Sequence, residues 1–336
     1  MHSEDSDSET QSPDWEFLSS TLSSEAFEAL HMYMNGYIDD DAETSPPPTT
    51  TTTSTTSLVD TMARLRLLDT KNTASLEHDK DLGSIGKLPS SELCNAVSVL
   101  LASGVVLLED VLSVTLCDKL LESINETLSK AVLSGIPLLR DNGFGNVMVR
   151  EHRWDMYLPC DNLYKQALEE LLGSPTCKLA VVFEELFGGP AEFYEFSALV
   201  SDRGASSQPI HPDTKYQSDA PLYTVFIALQ DVTELMGPTV FLTCTHDNEI
   251  THQNFNDPSK KNGQVAASEF QKGLIKKGDV VIMDSRLLHF GSGNTDQRRV
   301  LMYFTLKNPR VMEFHCMPGS LMTGLKLSTK DLVVVF

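Results

Sequence analysis

The sequence predicts an α+β protein: helices first, then a β-barrel or double-sheet jelly roll. Three observations carry this. Between residues 88 and 189 apolar side chains recur at helical spacing between capping and breaking residues. After residue 190 the texture changes to short runs of β-forming residues separated by turn signals. Hydrophobic residues make up 41% of the 336-residue chain, enough for a core, so a wholly disordered protein is excluded.

In chain order, residues 1–57 are rich in Ser, Thr and Asp, and end in SPPPTTTTTSTTS. Too few apolar groups occur there to repay ordering entropy, so a disordered acidic tail is expected. Its sparse Trp15, Phe17, Leu22, Phe27, Leu30, Met34 and Tyr37 offer a second reading, an amphipathic segment that docks on a protein partner. Residues 58–87 read as a linker with one short helix. Ordered structure is expected over 88–320, with 321–336 as a C-terminal extension.

Ser90 and Ser91 can cap a helix that runs to Ala102 and is broken by Gly104. Val105–Leu108 reads as a buried strand. After Ser113, residues Leu116, Leu120, Ile124, Leu128 and Val132 recur every fourth position, one face of a helix. A further helix spans 162–172, and Ser174-Pro175 opens another that Gly188-Gly189 ends. Strands are expected at Phe193–Val200, Leu222–Asp231, Thr239–Cys244, Val280–Met283, Leu287–Phe290 and Val300–Leu306. No internal repeat occurs.

The formal net charge is −21, and more than half of it lies in residues 1–45, which hold twelve acids and no Lys or Arg. That sign argues against binding to nucleic acid or anionic lipid, both of which need a positive face. There is no run of about 18 apolar residues to span a bilayer. Residues 1–15 lack the basic and apolar regions of a signal peptide. The six cysteines form no C-x-x-C pair, as expected of reduced thiols in a cytoplasmic protein. Cys117 and Cys177, in helix-like stretches, are read as packed side chains.

Three places in the β region hold metal-friendly residues. In QPIHPD, His211 and Asp213 stand two apart on extended backbone and point to one side. His289 ends an apolar strand beside a glycine-rich turn. Arg298 and Arg299 open the return strand. Two imidazoles and one carboxylate match the facial triad of non-haem iron oxygenases, and a buried arginine beside it would receive an anionic co-substrate.

These stretches resemble the phytanoyl-CoA dioxygenase-like family of Fe(II)- and 2-oxoglutarate-dependent oxygenases. The likeness lies in Gly104–Leu107 with its following helix, QPIHPD, LYTVFIALQDVTELMGPTVFLTCTHD and KKGDVVIMDSRLLHFGSGNTDQRRVLMYF, and it spans residues 88 to 320. It implies a double-stranded β-helix (jelly roll) with supporting N-terminal helices. It implies His211, Asp213 and His289 as iron ligands and Arg298 as the clamp on the far carboxylate of 2-oxoglutarate. The implied reaction is hydroxylation of a small-molecule C–H bond with release of succinate and CO2. Thr243-Cys244 stand where Pro-Gly is common in the family, and Ile210 where an aromatic is frequent. Asp213 disfavours the halogenating relatives, in which a small residue frees that position.

Both faces of the strand after Arg298 and Arg299 are apolar, so pattern alone leaves open which arginine points inward; the family's spacing favours Arg298. Gln208 is a candidate for contact with the co-substrate, though a turn-stabilising role is favoured. Arg150, Arg153 and Trp154 either line the substrate mouth or cover the sheet. His246 is expected to shape a hairpin end, and His252 and His315 to lie on the surface. The polar segment Thr251–Gln271 is a candidate lid. Two rivals remain: a non-catalytic, regulatory barrel with a partner-recruiting tail, and a cupin-type metalloenzyme that does not use 2-oxoglutarate.

Overall fold

The computed structural model describes residues 83–316, apart from 137, 139–141, 146, 148–150 and 161, together with residue 329. The expected tail, the 58–82 part of the linker, the 320/321 boundary and Arg150 lie outside the described residues.

The strands are β1 (Gly83–Ser84), β2 (Lys87–Leu88), β3 (Val105–Leu108), β4 (Arg153–Tyr157), β5 (Phe193–Ser201), β6 (Leu222–Ala228), β7 (Thr239–Thr243), β8 (Glu269–Lys272), β9 (Val280–Asp284), β10 (His289–Gly291) and β11 (Arg299–Lys307). The helices are α1 (Ala96–Ser103), α2 (Val114–Leu133), α3 (Asn162–Leu172), α4 (Lys178–Phe187), α5 (Glu249–Asn256) and α6 (Lys261–Ala267). A large sheet has the order β2-β3-β9-β6-β11-β5-β4, and a small one β1-β8-β7-β10. From β6 onward the chain passes back and forth between the two sheets, which is the jelly-roll topology.

Each strand of the large sheet alternates between two apolar environments. Val106, Val225, Ile227, Ile282, Val300, Met302 and Phe304 face outward, against α1 to α4. Val105, Phe226, Val281, Met283, Leu301 and Tyr303 face inward and meet Phe241 of the small sheet. Because both faces are buried, the strands read as continuous apolar runs rather than alternating ones.

Helix α2 buries Leu116, Leu120, Ile124 and Leu128 as expected, but Val132 is exposed and Ala131 is buried in its place. Four successive steps of four residues turn about 160° away from the starting face of a 3.6-residue helix, so the last of the series has rotated off the core. The segment expected as one helix from Ser90 splits into a 3-10 turn, Ser90–Asn95, and α1. Cys117 is fully buried, whereas Cys177 is the N-cap of α4 rather than a residue inside a helix. Strands β1 and β2 fall in the stretch read as linker: β1 pairs with β8, and β2 with β3.

Gly104 ends α1 at φ +82, and a Cβ there would stand 2.7 Å from both His246 Nδ1 and Leu287 Cδ1. A left-handed side chain and an overfilled contact each cost about 1–3 kcal/mol. Gly104→Ala is therefore expected to lower the unfolding free energy by about 2–4 kcal/mol in urea titration; an unchanged midpoint would contradict this close approach.

Thr251–Gln271 is not a lid over the histidines. It forms α5, α6 and the start of β8, and its Phe255, Val265 and Phe270 pack on Val240, Leu242, Leu288 and Phe290 of the small sheet. His252 is correspondingly buried, at 3% exposure, with its ring 5.1 Å from that of Tyr216, which corrects the surface assignment. Asn248 caps α5 by accepting from Thr251 N, and this sets Thr251, His252 and Phe255 on the covered face. His315 is exposed, as expected.

Candidate metal centre

The main chain brings the two histidines together. His211 N donates to His289 O at 3.0 Å, and His289 N donates to His211 O at 2.9 Å. A residue pair that exchanges both bonds carries its side chains on one face of the sheet. Asp213, two residues on, is held by its own N–H on Ser285 O at 2.8 Å. Asp213 Oδ1 then lies 3.9 Å from His211 Nε2 and 3.7 Å from His289 Nε2, and the three ligand atoms fall within 4.8 Å of one another. One ion can bridge them. Among the described residues this is the one such cluster of three.

Protonation suits the role. His211 Nδ1 donates to Pro209 O at 2.8 Å and His289 Nδ1 to Leu287 O at 2.9 Å, so in each ring the Nε2 lone pair is left for a metal. Burial, with repulsion from the neighbouring His289, lowers the His211 pKa to about 4, and burial lowers that of His289 to about 4. Both rings are neutral near pH 7. Burial raises Asp213 to about 6, against the pull of His211.

The turn after β9 supports this arrangement. Arg286 grips Asp284 through Nε–Oδ1 at 3.1 Å and Nη2–Oδ2 at 2.7 Å, and its Nη1 donates to Gln217 O and Ser218 O at 2.8 and 2.9 Å. Ser285 meanwhile shares a hydroxyl contact of 2.8 Å with Thr214. Arg286 thereby ties the turn to the loop that follows Asp213. Truncating one partner of a buried ion pair costs about 3–5 kcal/mol. Arg286→Ala is expected to lose that much in denaturant melts and to weaken iron binding as well. Unaltered melting would mean that the pair contributes nothing.

The two adjacent arginines divide as the pleat requires, but Arg298 does not enter the barrel. Its guanidinium pairs with Asp202 at 2.5 and 2.7 Å, donates to Asn125 Oδ1 at 3.0 Å and stands 5.9 Å from the Trp154 ring. Arg299 is the buried one, at 0% exposure, on the inward face with Leu301 and Tyr303. The expectation of an inward Arg298 was thus one residue out of register: its face, with Val300, Met302 and Phe304, is the one the helices cover.

Arg299 Nη1 donates to Gly237 O, while Nε and Nη2 have no partner. Burial, and to a lesser extent Arg153, pulls its pKa down to about 9. A buried cation with idle donors is a seat for an anion. The register sets Ser201 of β5 between Arg299 and Arg153, so all three share the inward face. Arg299 also lines a narrow cavity with Thr239, Phe226, Val281 and Phe241. The Phe241 ring stacks on His289 at 6.4 Å between centroids, so this cavity adjoins the metal-ligating ring.

The sequence profile of the phytanoyl-CoA dioxygenase family matches residues 101–300. The chain belongs to that family.

Iron and 2-oxoglutarate are this family's metal and co-substrate, and the side chains fit both. The triad is a 2-His-1-carboxylate set for iron, and the idle donors of Arg299 suit a carboxylate. Among solved structures, the non-haem α-ketoglutarate-dependent carbocyclase SnoK from nogalamycin biosynthesis is similar at 16% identity and a TM-score of 0.50, over 71% of this chain and 97% of that one. The epimerase SnoN of the same biosynthesis aligns at 16% identity and a TM-score of 0.47, over 70% of this chain and 94% of that one. HygX from Streptomyces hygroscopicus, with nickel and 2-oxoglutarate bound, aligns at 13% identity and 0.46, over 65% and 88%. At 16% identity the likeness to SnoK is one of fold. Among curated proteins none matches the chain. No helix of the described residues is long and apolar enough to cross a membrane.

The departures from the phytanoyl-CoA dioxygenase pattern have local explanations. Cys244, where glycine is common, adopts φ +61 and is exposed at the end of β7. Cys244→Gly should therefore stabilise the fold by about 1 kcal/mol through relief of a left-handed conformation, read as a raised melting temperature. Ile210 packs outward with Val240, Leu242 and Phe290 rather than toward the triad. His246 lies under Gly104 and donates from Nε2 to Leu101 O at 3.0 Å. Gln208 holds Gly291, donating from its N to Gly291 O at 2.8 Å and accepting from Gly291 N at 2.9 Å. Arg153 is buried and donates to Ser206 O and Ser292 O at 2.7 and 2.9 Å, while Trp154 lies on the helix side of the same strand.

Proposed function

We propose that the protein is an Fe(II)- and 2-oxoglutarate-dependent dioxygenase that hydroxylates a C–H bond of a small-molecule substrate, releasing succinate and CO2. The observation that carries this reading is the pairing of a converged His211–Asp213–His289 set with the idle donors of Arg299 inside one barrel. His211, Asp213 and His289 would hold the iron on one side and leave its other positions to 2-oxoglutarate and oxygen. Arg299 would grip the far carboxylate of 2-oxoglutarate, in place of Arg298, and so orient its keto acid end toward the triad.

When bound, iron and 2-oxoglutarate supply the oxidising power that breaks the substrate C–H bond. The chain supplies position and dryness. Pro209 O and Leu287 O keep the Nδ1 protons in place and hold each imidazole in its ligating tautomer. Phe226, Phe241 and Leu301 keep bulk water from the space beside Arg299.

The test has two steps. Anaerobic addition of Fe(II) and then 2-oxoglutarate should produce the visible charge-transfer band of their chelate. Aerobic incubation with a metabolite extract should then release succinate and yield a product heavier by one oxygen. Iron binding that 2-oxoglutarate does not strengthen would favour a metalloenzyme of another kind, and no iron binding would favour the non-catalytic barrel. Succinate release with a product of any other mass change would replace hydroxylation by a different outcome.

A further inference from the structure

The triad draws on both sheets. His289 belongs to β10 of the small sheet and holds His211 by the exchanged main-chain bonds. Asp213 is held from the other side, its N–H donating to Ser285 O just past β9 of the large sheet. The distances of 3.9 and 3.7 Å from Asp213 Oδ1 to the two Nε2 atoms therefore depend also on how the sheets stand to one another. Arg153 spans them. It opens β4, at the edge of the large sheet, and is 1% exposed. Its Nη2 donates to Ser206 O at 2.7 Å and to Ser292 O at 2.9 Å, with Gly291 O at 3.5 Å. Ser206 lies five residues before His211, and Ser292 three after His289.

The two histidine-bearing segments run antiparallel and bond to each other on either side of this point. Gln208 N donates to Gly291 O at 2.8 Å, and Gly291 N to Gln208 Oε1 at 2.9 Å. Farther along, Asn294 N donates to Ala205 O and Gly204 N to Asn294 O, both at 2.8 Å. At Ser206 and Ser292 both segments present carbonyls, and two acceptors cannot bond to each other. Ser292 N turns instead to Pro238 O at 3.0 Å. The two hydrogens of Arg153 Nη2 close that gap, one for each carbonyl. The positive charge strengthens both bonds, and the planar guanidinium fixes the angle between them. Gly291 leaves room for this approach, since a Cβ there would stand 3.0 Å from Arg153 Nη1. Burying a cation is costly, so packing alone would favour an apolar side chain at this position.

We propose that Arg153 is a positioning residue of the metal centre. It braces the two histidine-bearing segments against the large sheet and so sets the separation of the imidazoles from Asp213. Stacked sheets stand about 10 Å apart, and arginine is one of the few side chains long enough to cross such a gap and still bond at its tip. This role rests on the reading of the triad as an iron seat and deepens it, because the brace acts on where the ligands stand.

The test titrates the full, metal-free chain with Co(II), whose visible bands report the number and symmetry of its ligands. Arg153→Ala should bind Co(II) about 10–100-fold more weakly, as when an outer partner of a metal ligand is removed. Its bands should shift, while circular dichroism without metal shows a folded chain. Excess methylguanidinium should recover most of the loss, and methylammonium at equal ionic strength should not, because only the first restores the fork. Unaltered Co(II) affinity and bands in Arg153→Ala would overturn the proposal. So would weaker binding with unshifted bands and no recovery by methylguanidinium, which marks a residue that acts on stability alone. If Arg153→Ala does not fold, Arg153→Lys decides: a weaker complex with shifted bands supports the brace, and an unaltered one overturns it. Metal binding that 2-oxoglutarate does not strengthen would sink the dioxygenase reading and leave the brace in place. No Co(II) bound by the unaltered chain would overturn both.

Discussion

His211→Ala, Asp213→Ala and His289→Ala are each expected to abolish turnover and to weaken Fe(II) binding by more than about a hundredfold. Removing a neighbour of a metal ligand already costs 10–100-fold, and each of these variants removes one of only three protein ligands. Stability should change far less. The fold rests on three apolar clusters to which none of the three side chains belongs. The main-chain bonds between residues 211 and 289 do not depend on the side chains they carry. Iron titration with circular dichroism on the same samples separates the two effects. Coupled succinate release at the unaltered rate in any of the three would remove that residue from the centre.

The second large effect separates Arg299 from its neighbour. Arg299→Ala should raise the apparent constant for 2-oxoglutarate by two orders of magnitude or more, because about 3–5 kcal/mol is lost when a buried ionic contact is left one-sided. Arg298→Ala should leave that constant almost unchanged. Its guanidinium is about one-third exposed and already engaged by Asp202, so its removal should cost at most about 1 kcal/mol of stability. Steady-state kinetics in 2-oxoglutarate on both variants reads the difference. The larger effect at Arg298 would return the clamp to the position that sequence spacing favoured.

Arg298 and Arg299 lie on opposite faces of one strand, and the sequence distinguishes those faces poorly. The triad was legible because His-x-Asp on extended backbone and a histidine at a strand end are local signals. The arginine was not, because Val300, Met302 and Phe304 are as apolar as Leu301 and Tyr303, and only the helices packed on one side distinguish the two faces. The expected strands after residue 190 correspond to β5, β6, β7, β9, β10 and β11 to within about three residues. Strand β8 was hidden because only Phe270 of its four residues is buried, which leaves no alternation to read. Helices α5 and α6 read as a polar connection in the sequence because their polar residues outnumber the few, such as Phe255 and Val265, that anchor them. The Arg153 brace joins three segments far apart in the chain, and no local pattern announces it.

The reciprocal backbone bonds between His211 and His289 have a cost for metal selection. The spacing of residues 211 and 289 belongs to the sheet and does not depend on an ion, so the seat has little freedom to reject a wrong one by moving these two ligands apart. Nitrogen and oxygen donors in a rigid seat bind divalent ions in the order of intrinsic affinity, in which nickel and zinc rank above iron. Occupancy by iron is then decided by which free ion is supplied, and a redox-silent ion that arrives first leaves a well-formed but inert protein.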